Sequence, residues 1–297
     1  MFALRDVPPR TLRLAGARYR LVRVFKHDFL AATCLYEAEP TSASPVEPLG
    51  DAPGARVEFP RIVAKFGRSQ SFLGLPMDWA GRLLRGREEE IYRALAGVEG
   101  VPRWVGRIDS ASYAIEFVDG APLDHVAAPP PGFFDRLRAL FGAIHDCGVA
   151  YCDANKRSNI LVGPRGKPFL VDYQIAIRRR DDLPWPLRSL VAGAVRYCAK
   201  RDLYHLCKHK RRLCPHELTV QEEALSRYRV GLHWLHRKLT KPWRSLRRRF
   251  LQREYQAGQL TSPTADLEDH PQPEKDVWRA PPAARPRGPQ RAKGAQP

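Results

Sequence analysis

Apolar positions in the first part of the chain recur in short alternating runs, and later ones recur at helical spacing. Residues 18–38 alternate loosely and are rich in Val, Leu, Tyr and Phe, which predicts two strands with Lys26-His27-Asp28 at their turn. Residues 39–56, Glu-Pro-Thr-Ser-Ala-Ser-Pro onward to Gly54, predict a mobile loop. Arg61-Ile62-Val63-Ala64-Lys65-Phe66 predicts a compact strand. Over 77–97 the period becomes helical, with Leu83, Leu84, Ile91, Tyr92 and Leu95 on one side, and Gly97 and Pro102 end the helix. Residues 103–107 and 112–118 predict two more strands before Asp119-Gly120-Ala121-Pro122 breaks the chain.

That makes a five-stranded sheet with one helix, followed by a linker. From Phe133 to Cys147 the pattern is helical again, with Phe134, Leu137, Leu140, Phe141 and Ile144 on one face, and most of 185–253 also reads as helix. From Gly258 onward Pro, Ala, Gly, Arg and Gln displace any hydrophobic period, which predicts a disordered tail. The expected organisation is a 1–17 extension, an 18–120 sheet lobe, a 121–257 helical lobe and a 258–297 tail, an α+β architecture without internal repeats.

Composition is ordinary in hydrophobic content, 43%, and charged content, 28%. The net charge of +18 is not, and residues 178–253 hold 21 Lys and Arg against 6 Asp and Glu. A basic surface of that size predicts an anionic partner: phospholipid, phosphorylated glycolipid or nucleic acid. Six cysteines lack any Cys-x-x-Cys pair, which predicts a reduced, cytoplasmic setting without structural zinc. No signal peptide or membrane span is expected, since the best apolar run, Leu187 to Val195, is short and contains Arg188. Membrane contact would then be peripheral, on the inner face.

The chemistry concentrates in Tyr151-Cys152-Asp153-Ala154-Asn155-Lys156-Arg157-Ser158-Asn159-Ile160-Leu161-Val162 and Leu170-Val171-Asp172-Tyr173-Gln174. Two aspartates and an asparagine surround a short hairpin of apolar strands. Phosphoryl transfer from a metal-bound nucleotide needs that set: one carboxylate to orient the attacking hydroxyl, and an amide and a carboxylate to hold Mg²⁺.

The order of parts resembles the bilobal protein-kinase-like fold. It is most similar to the atypical bacterial branch near the RIO kinases and the lipopolysaccharide-core (Kdo/heptose) sugar kinases, over residues 18–215. The resemblance implies an ATP- and Mg²⁺-dependent phosphotransferase. Asp153 takes the catalytic-loop position, Asn159 and Asp172 the metal-binding positions, and Lys65, ending Ile-Val-Ala-Lys, the phosphate-contacting one. Glu88, within Glu88-Glu89-Glu90, is the expected partner of Lys65, and Glu116-Phe117-Val118 the hinge whose backbone meets adenine.

Three departures from the family pattern stand out. Asn159 follows Asp153 by six residues rather than five, which leaves Asn155 as an alternative ligand. Asp-Tyr-Gln replaces Asp-Phe-Gly and removes a hinge glycine. No Gly-x-Gly-x-x-Gly precedes Lys65, and at the first strand turn Lys26 can supply charge that backbone amides supply elsewhere. Tyr151-Cys152 replaces His-Arg, which argues against regulation by a phosphorylated activation loop; His145 is expected to orient backbone near Asp153.

Towards the C-terminus Trp234, Leu235, Leu239, Trp243, Leu246 and Phe250 interleave with seven Arg and Lys, the pattern of an interfacial helix with Pro242 as a break. A solvated helix and a nucleic-acid surface share that pattern. The leading expectation is a kinase acting on a glycolipid sugar or a protein Ser/Thr hydroxyl. The alternative is a pseudokinase serving as a membrane- or RNA-binding module.

Overall fold

The computed structural model describes residues 2–40, 57–71, 76–227 and Thr264. Strands β1 (Thr11–Leu14), β2 (Ala17–His27), β3 (Ala31–Ala38) and β4 (Arg61–Gly67) precede helix α1 (Asp78–Ala94), and β5 (Trp104–Arg107) and β6 (Ser112–Glu116) follow it. The six strands make one antiparallel sheet in the order β1-β2-β3-β4-β6-β5. The sheet has one strand more than the sequence pattern suggested. Thr11–Leu14 pairs with β2 although it lies in the stretch read as an extension, because Ala15-Gly16 makes a left-handed turn between them. Likewise β2 runs through His27, so the turn is Asp28–Leu30 rather than Lys26–Asp28. Asp28 closes it by accepting the amides of Leu30 (2.8 Å) and Ala31 (2.9 Å).

Side-chain alternation along β4 decides what faces the cleft. Ile62, Ala64 and Phe66 are buried on one face with Tyr19, Val24, Cys34 and Tyr36. Val63 and Lys65 therefore point to the opposite face, where α1 lies and where a second core begins. That second core joins Ile91 and Tyr92 of α1 to Phe134, Leu137 and Phe141 of α2 (Phe133–Asp146), and so crosses from the sheet lobe into the helical lobe.

The helical lobe continues with β7 (Ala121–Pro122) before α2, then β8 (Val149–Ala150), β9 (Ile160–Val162), β10 (Pro168–Leu170) and β11 (Ile177–Arg178). β10, β9 and β7 form a small sheet, and β8 pairs with β11. Helix α3 (Leu187–Leu213) follows and stops where Pro215 cannot continue it, and α4 (Val220–Arg227) packs back on it. The basic aromatic stretch from Trp234 to Phe250 and, but for Thr264, the tail after Gly258 lie outside the described residues, as does most of the 39–56 loop. Among the described helices none is long and apolar enough to cross a membrane.

Two glycines set how closely α1 approaches the sheet. A Cβ on Gly81 would sit 2.6 Å from the Arg68 carbonyl oxygen, and one on Gly67 would sit 2.5 Å from that of Ala111. Glu89 adds a clamp, accepting both Arg107 Nε and Nη2 from β5 at 2.8 Å. Substitution Gly81→Ala is expected to push α1 off β4 and to cost about 1–3 kcal/mol in denaturant unfolding. Unchanged stability would show that the contact is not a constraint.

Candidate active site

Lys65 leaves β4 on the cleft face, and its Nζ lies 2.7 Å from Glu88 Oε1 and 2.9 Å from Asp172 Oδ1. Of the three consecutive glutamates, Glu88 is the one that meets it. Glu89 is taken by Arg85, Arg93 and Arg107, and Glu90 pairs with Arg178. Burial pulls the Lys65 ammonium down, but Glu88 and Asp172 outweigh it and hold the group protonated well above its usual range. Burial pushes Glu88 up, with Lys65 opposing. Asp172 is also pushed up by burial, yet Lys65, assisted by Lys26 and Lys156, holds it at about 2.

Asp153 is buried, and its Oδ2 accepts Asn159 Nδ2 at 2.9 Å and faces Lys156 Nζ at 2.8 Å. Burial raises this carboxyl, Lys156 opposes the rise, and Asp172 adds to it. The structure resolves which asparagine joins the cluster. The extra loop residue is absorbed in a turn and a short 3-10 segment, Arg157–Asn159, that delivers Asn159 directly into β9. Asn155 is exposed and meets Lys208 at 3.5 Å instead. Asp172 follows β10 in a left-handed conformation, φ 63°, and Val171 N–H bonds Asn159 C=O, so the hairpin fixes the two together.

Lys156 carries a charge at this site that motif reading left unassigned. Its signal was its place in the same loop, three residues after Asp153. Asp202 of α3 was also missed. Nearly inaccessible to solvent, it accepts Tyr151 N–H (2.8 Å) and Cys152 N–H (3.0 Å) and meets His145 Nε2 at 3.2 Å. Cys152 is held at φ 67°, a conformation that costs a residue with a Cβ about 1–3 kcal/mol, and the buried carboxylate holds it there. The available signal was modest: Asp202 is the one acid in a helix otherwise rich in Lys and Arg. His209, one helical repeat further on, bonds the Ala154 carbonyl through Nε2 at 2.9 Å.

An aromatic column backs the site. Tyr173 stands edge-on to Tyr92 of α1 at 5.2 Å and to Tyr151 at 5.1 Å, and Tyr151 leans on Phe141. Tyr151 also donates to the Val171 carbonyl. The residue after Asp172 is thus locked between both lobes.

Sites expected around the nucleotide are arranged less uniformly. Lys26 pairs with Asp28 at 2.6 Å, and its charge lowers both Asp153 and Asp172. Glu116 turns its side chain to Arg103 at 3.1 Å and its N–H to the Arg103 carbonyl at 2.8 Å, and Val118 is half-buried two residues on. Phe117 and Phe25 lie nearly parallel, 4° apart, with ring centres at 6.5 Å. The donors suit a hard cation: Asp172 is held ionised, and Asn159, whose amide nitrogen is spent on Asp153, has a side-chain oxygen that meets the Ser158 hydroxyl at 3.4 Å and can take a ligand in addition.

No protein-family model and no curated protein matches the chain. Among solved structures, the Rio2 kinase–ADP/Mg²⁺–phosphoaspartate complex from Chaetomium thermophilum is similar in fold, with a TM-score of 0.43 and 17% identity. The alignment covers 67% of this chain and 57% of that one, so the chain spans little more than half of its neighbour's length. The architecture itself is α+β, an antiparallel sheet lobe followed by a mostly helical one.

Burial depresses His209 to about 4, so it stays neutral as a hydrogen-bond donor to the loop that carries Asp153. Its unfolded-state value lies near 6.5, so the unfolded chain binds the proton first as pH falls. His209 should therefore cost stability progressively between about pH 6.5 and pH 4, on the order of 3 kcal/mol in all. Denaturant unfolding of His209→Gln, which keeps an N–H donor and cannot titrate, should show a flatter pH dependence over that interval; an identical slope would remove His209 as the cause.

Proposed function

We propose that the protein is an ATP- and Mg²⁺-dependent phosphotransferase acting on a hydroxyl presented at an anionic lipid surface. The observation that supports this most is the convergence of Lys65, Glu88, Asp172, Asp153, Asn159 and Lys156 from four separate segments into one cleft between the lobes. Ion pairs alone would not need a buried carboxylate braced by an amide.

Each residue has a role that its environment suits. Asp153, with its carboxyl raised by burial, is placed to take the proton of the acceptor hydroxyl. Lys65, fixed by Glu88, would hold phosphate oxygens, and Lys156 would meet the group being transferred. Asn159 and Asp172 would hold Mg²⁺, which supplies charge neutralisation on the phosphates when bound. Lys26 adds positive potential from the end of β2, beside the turn that stands where a glycine loop would. The hinge backbone at Glu116 and Val118, beside the Phe25 and Phe117 rings, would receive the base.

The acceptor surface is read from α3. Its core-facing stripe thins towards the start of the helix: Val195 is buried and Val191 half-buried, whereas Leu187 and Leu190 are exposed. Trp185 (77% exposed) and Leu190 (66%) project furthest, and Ile175, three residues after Asp172, is half-exposed. Arg188, with no ion-pair partner among the described residues, lies beside them, and the whole chain carries +18. An aromatic and apolar patch edged by cations suits the boundary between head groups and acyl chains. A glycolipid sugar held there would lie on the same helix that grips the Asp153 loop through Asp202, about 18 Å further along its axis.

The test is transfer of label from γ-labelled ATP with Mg²⁺ and vesicles containing lipopolysaccharide or anionic lipid. Labelled glycolipid is expected, with Asp153→Asn reducing the rate by a factor of about 10²–10⁴. Label on protein would replace the lipid acceptor with a Ser/Thr one, and Mg²⁺-dependent ATP binding without any transfer would make the chain a binding module. Separately, Leu190→Glu with Trp185→Glu should abolish sedimentation with anionic vesicles; undiminished sedimentation would move the lipid surface elsewhere.

A further inference from the structure

His27, the last residue of β2, is fully buried although it borders the turn over the cleft. Its two ring nitrogens are held by residues from opposite ends of the chain. The Leu4 amide donates to Nε2 at 3.1 Å, and Nδ1 lies 3.1 Å from the hydroxyl oxygen of Thr264, 237 residues away in sequence. An N–H can only donate, so Nε2 is the acceptor, and the neutral imidazole carries its proton on Nδ1. Nδ1–H therefore donates to Thr264 Oγ1. Thr264 is itself fully buried, so the bond is shielded from water.

The same turn is gripped by residues around the N-terminus. Ala3 N–H bonds the Asp28 carbonyl at 2.8 Å, and Ser69 N–H bonds Ala3 C=O at 3.0 Å. The buried Arg68 donates to the carbonyls of Phe29 (2.7 Å) and Phe2 (3.3 Å), with its guanidinium 4.0 Å above the Phe29 ring. Lys26, in the last two residues of β2 leading into that turn, has a charge that reaches both Asp153 and Asp172. Here backbone groups near the N-terminus, the Arg68 side chain and, through His27, the Thr264 hydroxyl set the position of the turn.

We infer that Thr264 is a positioning residue for the nucleotide: through His27 it fixes the β2–β3 turn, with Lys26, over the phosphate end of the cleft. The consequence for ATP rests on the phosphotransferase reading, whereas the clasp itself does not. The tautomer argument makes the clasp specific. Once the hydroxyl at 264 is lost, Nδ1–H has lost the acceptor described here, the alternative tautomer with the proton on Nε2 becomes competitive, and Leu4 N–H is then left without its bond.

The experiment compares full-length wild type, Thr264→Val, which is nearly isosteric, and Thr264→Ser, which keeps the hydroxyl. Hydrogen exchange at the Leu4, Leu30 and Ala31 amides should accelerate in Thr264→Val and return towards wild type in Thr264→Ser. MgATP affinity and the KM for ATP should weaken about tenfold in Thr264→Val, as expected for one buried hydrogen bond, with kcat changed much less. Equal exchange at those amides in Thr264→Val and wild type would overturn the clasp. Faster exchange with unaltered ATP affinity would overturn its role in positioning the nucleotide. A wild-type protein that fails to bind MgATP would overturn the functional reading instead, and leaves the exchange result to decide the clasp.

Discussion

One lysine held between two carboxylates is the constraint on which the rest of the structure turns. Lys65 comes from the sheet, Glu88 from α1, and Asp172 from the segment after β10 in the other lobe. Removing one member of so buried a set leaves a charge without its counterpart and typically costs about 3–5 kcal/mol. The arrangement therefore requires α1 to lie against the sheet at one depth and the hairpin to close at one register. Gly67 and Gly81 provide the depth by letting backbone touch backbone. The β9–β10 pairing provides the register.

A second constraint acts on the other side of the cleft. The loop that carries Asp153 includes a residue, Cys152, in a left-handed conformation. Its shape is imposed by α3, through Asp202 on the amides of Tyr151 and Cys152 and through His209 on the Ala154 carbonyl. His145 completes the arrangement from α2 by meeting the same Asp202 carboxylate. Between these two constraints runs the aromatic column of Tyr92, Tyr173, Tyr151 and Phe141, which ties α1 to α2. Tyr173 is buried and packed edge-on between Tyr92 and Tyr151, which holds the residue after Asp172 in place.

Parts of this were legible because they are local. Lys65 stood at the end of an apolar strand, Asp153 and Asn159 flanked a loop, and Asp172 closed a hairpin whose turn was visible as Gly163-Pro164-Arg165-Gly166. Glu88 was selected from three neighbours because Ile91, Tyr92 and Leu95 marked the inward side of its helix, and that periodicity is a local property too. Choosing between Asn155 and Asn159 also followed a local rule, position before an apolar strand. β1 was passed over because Thr11–Leu14 is short and only half of its residues are apolar; pairing with β2, not its own pattern, makes it a strand.

By itself the chain determined its alternation of strands and helices, the types of its reacting groups and its surplus of positive charge, because each of these is written in spacings of two to seven residues or in composition. Only the tertiary structure decided that Asp202 and His209 would shape a loop about fifty residues earlier, that Lys156 would face Asp153, and that Thr264 would meet His27. The physical reason is that a hydrogen bond or ion pair between distant segments leaves no period in either of them. What such a bond requires is a buried polar side chain, and burial is a property of the packed chain rather than of the residue.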